Sequence, residues 1–266
     1  MNAPAPATVP PETLALFVSD LHLSPDLPKT TETFFNFLHD HALRTRALYL
    51  LGDIFEYWVG DDDLNDPYHR KIVNALRSLS DQGVSVNWIA GNRDFLVGKA
   101  FAAACGLQIL TEPHVADIAG RQILLIHGDA QCTDDTAYMA FRAQVRDTEW
   151  QRAFLARPLD ERKAIITGMR EGSRQAQRDK AMEIMDVNSS EISQLFDAYG
   201  VTLMIHGHTH RPQVHTDNGR VRHVLPDWDC DAEVIRGGWL AIDAAGELRR
   251  VDLATITPPV CSSAPD

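Results

Sequence analysis

No stretch of this 266-residue chain is long and apolar enough to span a bilayer, which takes about 18–20 residues of helix. Neither Lys nor Arg occurs in the Ala/Pro-rich residues 1–11, so the charged start of a secretory signal is missing. Cysteine is scarce and scattered. Cys105, Cys132, Cys230 and Cys261 form no C-x-x-C pair, which reads as reduced thiols of a cytoplasmic protein and not as a disulfide framework or a zinc site. Positive charge is also short, with 25 Lys and Arg against 37 Asp and Glu. A net charge of −12 argues against a general nucleic-acid binder, which carries a basic face. The expectation is a soluble protein, or one attached to a membrane only at its surface, with no obligate protein partner. Residues 1–12 and the Pro/Ser-rich residues 257–266 are expected to be flexible ends of a single domain over residues 13–256.

What the chain does contain is a series of short apolar runs, each ending on a polar motif. Residues 14–18 run into Asp20-Leu21-His22 and residues 47–51 into Gly52-Asp53. Residues 84–90 run into Gly91-Asn92-Arg93-Asp94, residues 123–126 into His127-Gly128-Asp129, and residues 201–205 into Gly207-His208-Thr209-His210. Nearly unbroken apolar runs of this length predict strands covered on both faces. Helical spacing lies between them over residues 30–44 (Phe34, Phe35, Leu38, Leu43) and 67–82 (Ile72, Val73, Leu76, Leu79), the second stopped by Gly83. After the last motif the pattern turns strand-like over residues 221–225, 239–242 and 248–253. The predicted fold class is a layered α/β (α+β) domain with polar groups gathered where strands end.

The motifs amount to a set of metal donors. Asp20 and His22, one residue apart at a strand end, can point to the same side and hold one ion. The two oxygens of Asp53 can bridge two ions, and Asn92 adds a neutral oxygen that limits the negative charge. His127, His208 and His210 supply imidazoles. Mixed oxygen and nitrogen ligands suit Mn²⁺, Fe²⁺ or Zn²⁺ and suit Ca²⁺ or Mg²⁺ poorly. Two such ions about 3.5–4 Å apart name a reaction type, in-line displacement at phosphorus by an activated water. Each motif alone has a plainer reading: a chance Asp-x-His, a surface histidine, a Gly-Asn turn. Five of them in order, each after an apolar run, do not share one.

This ordered set resembles the calcineurin-like metallophosphoesterase superfamily. The resemblance implies an αββα sandwich, two sheets flanked by helices. It also implies that Asp20, His22, Asp53 and His210 hold a first ion and Asp53, Asn92, His127 and His208 a second. One position departs from the general pattern: Arg93 stands where most of the superfamily has histidine. Arg cannot act as a general acid near neutral pH, but it holds phosphate oxygens bidentately. A leaving group that needs little proton help, such as the phosphate of a phosphoanhydride, fits best. Arg93 and several longer runs, among them Cys132-Thr133-Asp134-Asp135 and Met182-Glu183-Ile184-Met185-Asp186-Val187-Asn188, are similar to the diphosphatase subfamily of lipid A biosynthesis that acts on UDP-2,3-diacylglucosamine. That likeness implies two Mn²⁺ ions, UMP and lipid X as products, and peripheral attachment to the cytoplasmic face of the bacterial inner membrane. By it Asp53, Arg93 and His208 are catalytic, and Asn92, Arg93, Asp135, Ser173, Gln177, Lys180 and His208 contact substrate. Gln177 stands where the subfamily often has Asn, a carboxamide on a longer arm.

About eighty residues separate His127 from His208, more than one helix and one strand require. Residues 141–155 and 159–185 carry helical patterns, and Arg142 to Lys180 hold ten basic residues against six acidic ones. A helical cap over about residues 134–195, basic where an anionic substrate arrives, is one reading; a solvated helix face is the other. Trp58, Tyr138, Phe141, Trp150, Phe154 and Met169 are candidates for an acyl slot or for ordinary core packing. Asp61-Asp62-Asp63 reads as a solvated loop. Two rivals to the lipid substrate stand: a phosphoesterase of soluble nucleotides, and a non-catalytic scaffold on the same fold.

Overall fold

A computed structural model describes residues 12–178 and 186–256. Its elements in chain order are β1 (Thr13–Val18), α1 (Pro28–Asp40), β2 (Ala47–Leu51), α2 (Pro67–Asp81), β3 (Ser85–Ile89), α3 (Lys99–Cys105), β4 (Gln108–Ile109), β5 (His114–Ile118) and β6 (Arg121–Leu125). Then follow α4 (Thr136–Arg146), α5 (Thr148–Leu155), α6 (Leu159–Arg178), α7 (Ser189–Tyr199), β7 (Leu203–His206), β8 (Val214–Asp217), β9 (Arg220–Val224), β10 (Gly238–Asp243), β11 (Leu248–Asp252) and α8 (Leu253–Ile256).

The strands form two sheets. One has the order β11-β10-β1-β2-β3-β4, parallel from β1 to β4 and antiparallel at β10 and β11. The other has the order β5-β6-β7-β9-β8, parallel across β6, β7 and β9. Alternation along each strand assigns its residues to two faces. On β1, Ala15 and Phe17 point into the slab between the sheets, where they meet Ile123, Leu125 and Ile205, while Leu16 and Val18 point outward. That outer face is covered by α1, α2 and α3 through Phe34, Phe37, Ile72, Leu76 and Phe101. On the second sheet Leu124 and Met204 point outward and pack against Ile192 and Phe196 of α7. The layers are therefore αββα.

Several sequence expectations need correction. Residues 141–155 are not one helix. Asp147 breaks the run with an extended backbone (ψ 133°), and its carboxylate accepts the Trp150 N–H at 2.9 Å to cap α5. The Asp61-Asp62-Asp63 run is not a solvated loop. Asp61 accepts the N–H groups of Gly98, Ala100 and Phe101 at the start of α3. Asp63 is 2% exposed and pairs with Lys163 Nζ at 2.7 Å. The buried Arg162 of α6 reaches Asp62 and the Val59 carbonyl. Trp58, an acyl-slot candidate, is buried in the core against Phe55, His69 and Phe101, and Phe154 packs into the same cluster. Among the described residues, Cys105, Cys132 and Cys230 are buried, and no helix is long and apolar enough to cross a membrane. Cys261, the expected flexible ends apart from residue 12, and the end of the helix expected over 159–185 lie outside the described residues.

Candidate metal centre

All five motifs sit in loops leaving the C-terminal ends of parallel strands, β1, β2 and β3 in one sheet and β6 and β7 in the other. Main-chain bonds tie these loops together. The Asp20 N–H donates to Gly52 O at 3.0 Å, the His22 N–H to Asp53 O at 3.0 Å, and the Gly207 N–H to His127 O at 2.9 Å. Seven non-glycine residues among those described have positive φ, and five of them are Asp20, His22, Asp53, His208 and His210, at 48–66°. The other two, Ala119 and Asn218, lie in hairpin turns. A left-handed backbone at a branched or bulky residue costs of order 1–3 kcal/mol and persists only where the surroundings impose it. Close approach also requires glycine at two points. A Cβ at Gly91 would run into the Asp53 carboxylate, and one at Gly207 into Asp20 and Ser19.

Two donor groups result. Asp20, His22 and His210 each present a ligand atom within 4.8 Å of the others, and so do Asp53, His127 and His208. Asn92 joins the second group, its Oδ1 lying 3.0 Å from His127 Nε2 and 2.9 Å from His208 Nδ1. Asp53 Oδ1 is 3.7 Å from His127 Nε2, and its charge also acts on His22 and His210.

The ring partners show that these donors suit cations. His22 Nδ1 faces Glu56 Oε2 at 3.1 Å, and His210 Nδ1 faces Asp227 Oδ2 at 3.8 Å. The two Nε2 atoms lie 3.3 Å apart, and that of His210 also lies 3.4 Å from Asp20 Oδ1, so three potential ligand atoms converge on one point. Similarly, His127 Nδ1 lies 2.8 Å from Leu51 O and must donate to it, so a neutral His127 turns its Nε2 lone pair on the Asn92 oxygen. Acceptors converging on acceptors are repulsive without a positive charge between them. The donor set, four nitrogens and three side-chain oxygen groups, fits a pair of divalent transition cations.

Protonation follows the same logic. Burial alone lowers the His127 imidazole, but Asp53, Asp20, Asp129 and Glu112 outweigh it and raise it to about 9. His208 is lowered to about 4 by burial and by the charge on His127. Burial works to raise Asp20, yet its hydrogen bond to His210 and the imidazoles around it hold it well below the usual carboxylate range. In the absence of cations, a proton on His127 relieves the acceptor clash.

Beyond the donors stands a layer to which the sequence reading gave no role. The buried Asp94 carboxylate accepts the N–H groups of Gly91 at 2.8 Å and Ile54 at 2.8 Å, so it pins the β2 and β3 loops together. Burial and the nearby Asp53 raise its pKa to about 6. Glu56 and Asp227 lie beside the Nδ1 atoms of His22 and His210, as described. Asp94 was visible in its motif, but a carboxylate that serves backbone N–H groups looks in sequence like any other acid. Asp227 lies in an acid-rich loop with no helical or strand pattern to place it.

Of the substrate-contact candidates, Arg93 is anchored through its main chain. Its N–H donates to Asp53 Oδ1 at 2.7 Å and its carbonyl accepts from the Trp58 N–H. Its buried Nε has no hydrogen-bond partner among the described residues. Asp135 caps α4 by accepting the Tyr138 N–H at 3.0 Å, and the Tyr138 ring lies 5.9 Å from that of His208. Lys180 and the side chains of Ser173 and Gln177 lie outside the described residues.

Comparison with known proteins agrees with this geometry. Residues 14–212 match the model of the calcineurin-like phosphoesterase family. A UDP-2,3-diacylglucosamine hydrolase of Aromatoleum aromaticum is 48% identical over 226 residues, 84% of this chain and 92% of that protein. A protein of the same name from Escherichia coli K12 is 44% identical, over 83% of this chain and 93% of that one. Among solved structures, vacuolar protein sorting 29 from Cryptosporidium parvum aligns over 90% of this chain and 96% of its own, with a TM-score of 0.46 and 12% identity.

Proposed function

The chain belongs to the calcineurin-like phosphoesterase family and is a hydrolase, and from that premise we propose that it cleaves the pyrophosphate bond of UDP-2,3-diacylglucosamine. The products are UMP and 2,3-diacylglucosamine 1-phosphate, lipid X, on the route to lipid A. The observation that carries the reading is Arg93: a guanidinium whose buried Nε has no partner among the described residues, fixed by its own N–H to the Asp53 carboxylate of the second donor group.

Asp20, His22, Asp53 and His210 would hold one cation, and Asp53, Asn92, His127 and His208 the other, with Mn²⁺ the ion suited to this donor set. When bound, such a pair supplies Lewis acidity toward a phosphoryl oxygen and makes a water nucleophilic near neutral pH. The chain's own residues do the rest. Arg93 grips the phosphate oxygens and offsets charge that grows on them. His208, neutral at working pH, donates no net charge and orients a phosphate oxygen by hydrogen bonding. No side chain needs to protonate the leaving group, since a phosphate departs without help. Asp135, Ser173, Gln177 and Lys180 contact the glucosamine and its acyl linkages under a cap built from α4 to α6. The acyl chains draw the protein to the cytoplasmic face of the inner membrane as a peripheral protein.

Product identification tests the reading. Diacylated UDP-glucosamine with Mn²⁺ should give UMP and lipid X, with kcat/KM well above that for the deacylated sugar nucleotide. Equal values for the two would favour a soluble-nucleotide phosphoesterase instead.

A further inference from the structure

Asp129 follows the ligand His127 by two residues, is fully buried, and is not itself aimed at either donor group. It gathers three side chains from successive turns of α4. Tyr138 Oη donates to its Oδ2 at 2.9 Å, Arg142 Nε donates at 2.8 Å, and Arg146 Nη2 lies 3.8 Å away. Spacings of four residues put these three on one face of the helix. Arg146 Nη2 then goes further and donates to Gly91 O at 3.0 Å, next to Asn92, while its guanidinium stacks over Phe95. Arg142 also approaches Glu112 Oε2 at 4.0 Å, and Glu112 Oε1 accepts the His127 N–H at 2.6 Å. One helix is thereby fastened to two of the four loops that carry the second donor group, those of Asn92 and His127. The imidazoles of the first group lie beside different carboxylates, Glu56 and Asp227.

We propose that Asp129 is a positioning residue for the second cation group: through Arg142 and Arg146 it sets α4 against the Gly91-Asn92 and His127 loops and so fixes the spacing of Asn92 and His127. The proposal rests on the two-cation reading of the site but not on the identity of the substrate. Selective loss of one cation is the signature that separates positioning from general structural support, because a residue that merely holds the fold together moves both sites alike.

The test is a Mn²⁺ titration of wild type and Asp129→Asn, followed by calorimetry and by the EPR signal of a spin-coupled ion pair. Asp129→Asn should weaken one of the two Mn²⁺ ions about 10- to 100-fold, the range typical of groups that orient ligands. The other affinity should be unchanged, and the coupled signal should be lost at one equivalent per site. Arg146→Met, at the partly exposed end of the network, should shift the same ion in the same direction by less, and it decides the matter if Asp129→Asn does not fold. Wild-type affinities for both ions, or an equal fall in both, overturns the proposal. A wild-type protein that takes up no cation pair overturns the reading beneath it instead.

Discussion

Asp53 Oδ1 accepts the backbone N–H of Arg93 at 2.7 Å, so a carboxylate of the second donor group also fixes the residue proposed to meet the phosphate. One side chain thus offers a metal donor and anchors the main chain of Arg93. Asp53→Ala removes both. Turnover with Mn²⁺ present should fall by about 10³-fold or more, which corresponds to about 4 kcal/mol of transition-state stabilisation. Initial-rate kinetics checks this, and an unchanged kcat would refute the ligand assignment.

Arg93→Ala should lower kcat and kcat/KM together by about 10²–10³-fold, as expected for a contact that strengthens when charge develops. Lys at this position should restore little, because an ammonium cannot span two phosphate oxygens. A change confined to KM would make Arg93 a binding residue only.

Cation uptake should release protons. In the cation-free protein His127 keeps its second proton up to about pH 9, and a cation needs its Nε2 lone pair free. Below pH 9 affinity therefore rises with pH, and above it the dependence flattens. Calorimetric titrations with Mn²⁺ at pH 7 in Pipes and in Tris should differ in heat by the buffers' ionisation enthalpies. Identical heats would show that His127 is already neutral.

The fastening of α6 gives a stability prediction. Arg162 is 2% exposed and donates to the carbonyls of Val59 and Arg157 and to Asp62. Arg162→Met orphans two carbonyls but leaves Asp62 free to reach water, so a loss of about 2–4 kcal/mol is expected. A lower Tm together with faster tryptic cleavage in α6 would bear this out, whereas an unchanged cleavage rate would show that the helix is held by other contacts.

Much of the donor set was legible because each ligand follows an apolar run, and a strand that ends in a loop must put its next polar residues at the sheet edge. β1, β2, β3, β6 and β7 announced themselves in this way. β4 and α3 did not, being two and seven residues long and too short for any period to register. α7 carried its signals, the Asn188 cap and the left-handed Gly200, within a stretch read as one continuous cap. Asp63 and Arg162 lie far apart in sequence, and charge alone could not show that α6 buries an ion-paired face on the loop after Trp58. Asp94 and Asp129 stood inside quoted motifs, but their partners are backbone groups and a helix that only the folded chain brings near.

Each proposed cation draws ligands from both sheets, Asp20, His22, Asp53 and Asn92 on one side and His127, His208 and His210 on the other. The greasy filling of the sandwich therefore acts as a gauge block for the chemistry above it. Trimming Ile205 or Leu125, core residues outside both donor groups, would let the two halves settle by a fraction of an ångström and detune the centre from a distance. Anyone wishing to retune its metal preference should begin with these hydrocarbons rather than with the ligands themselves.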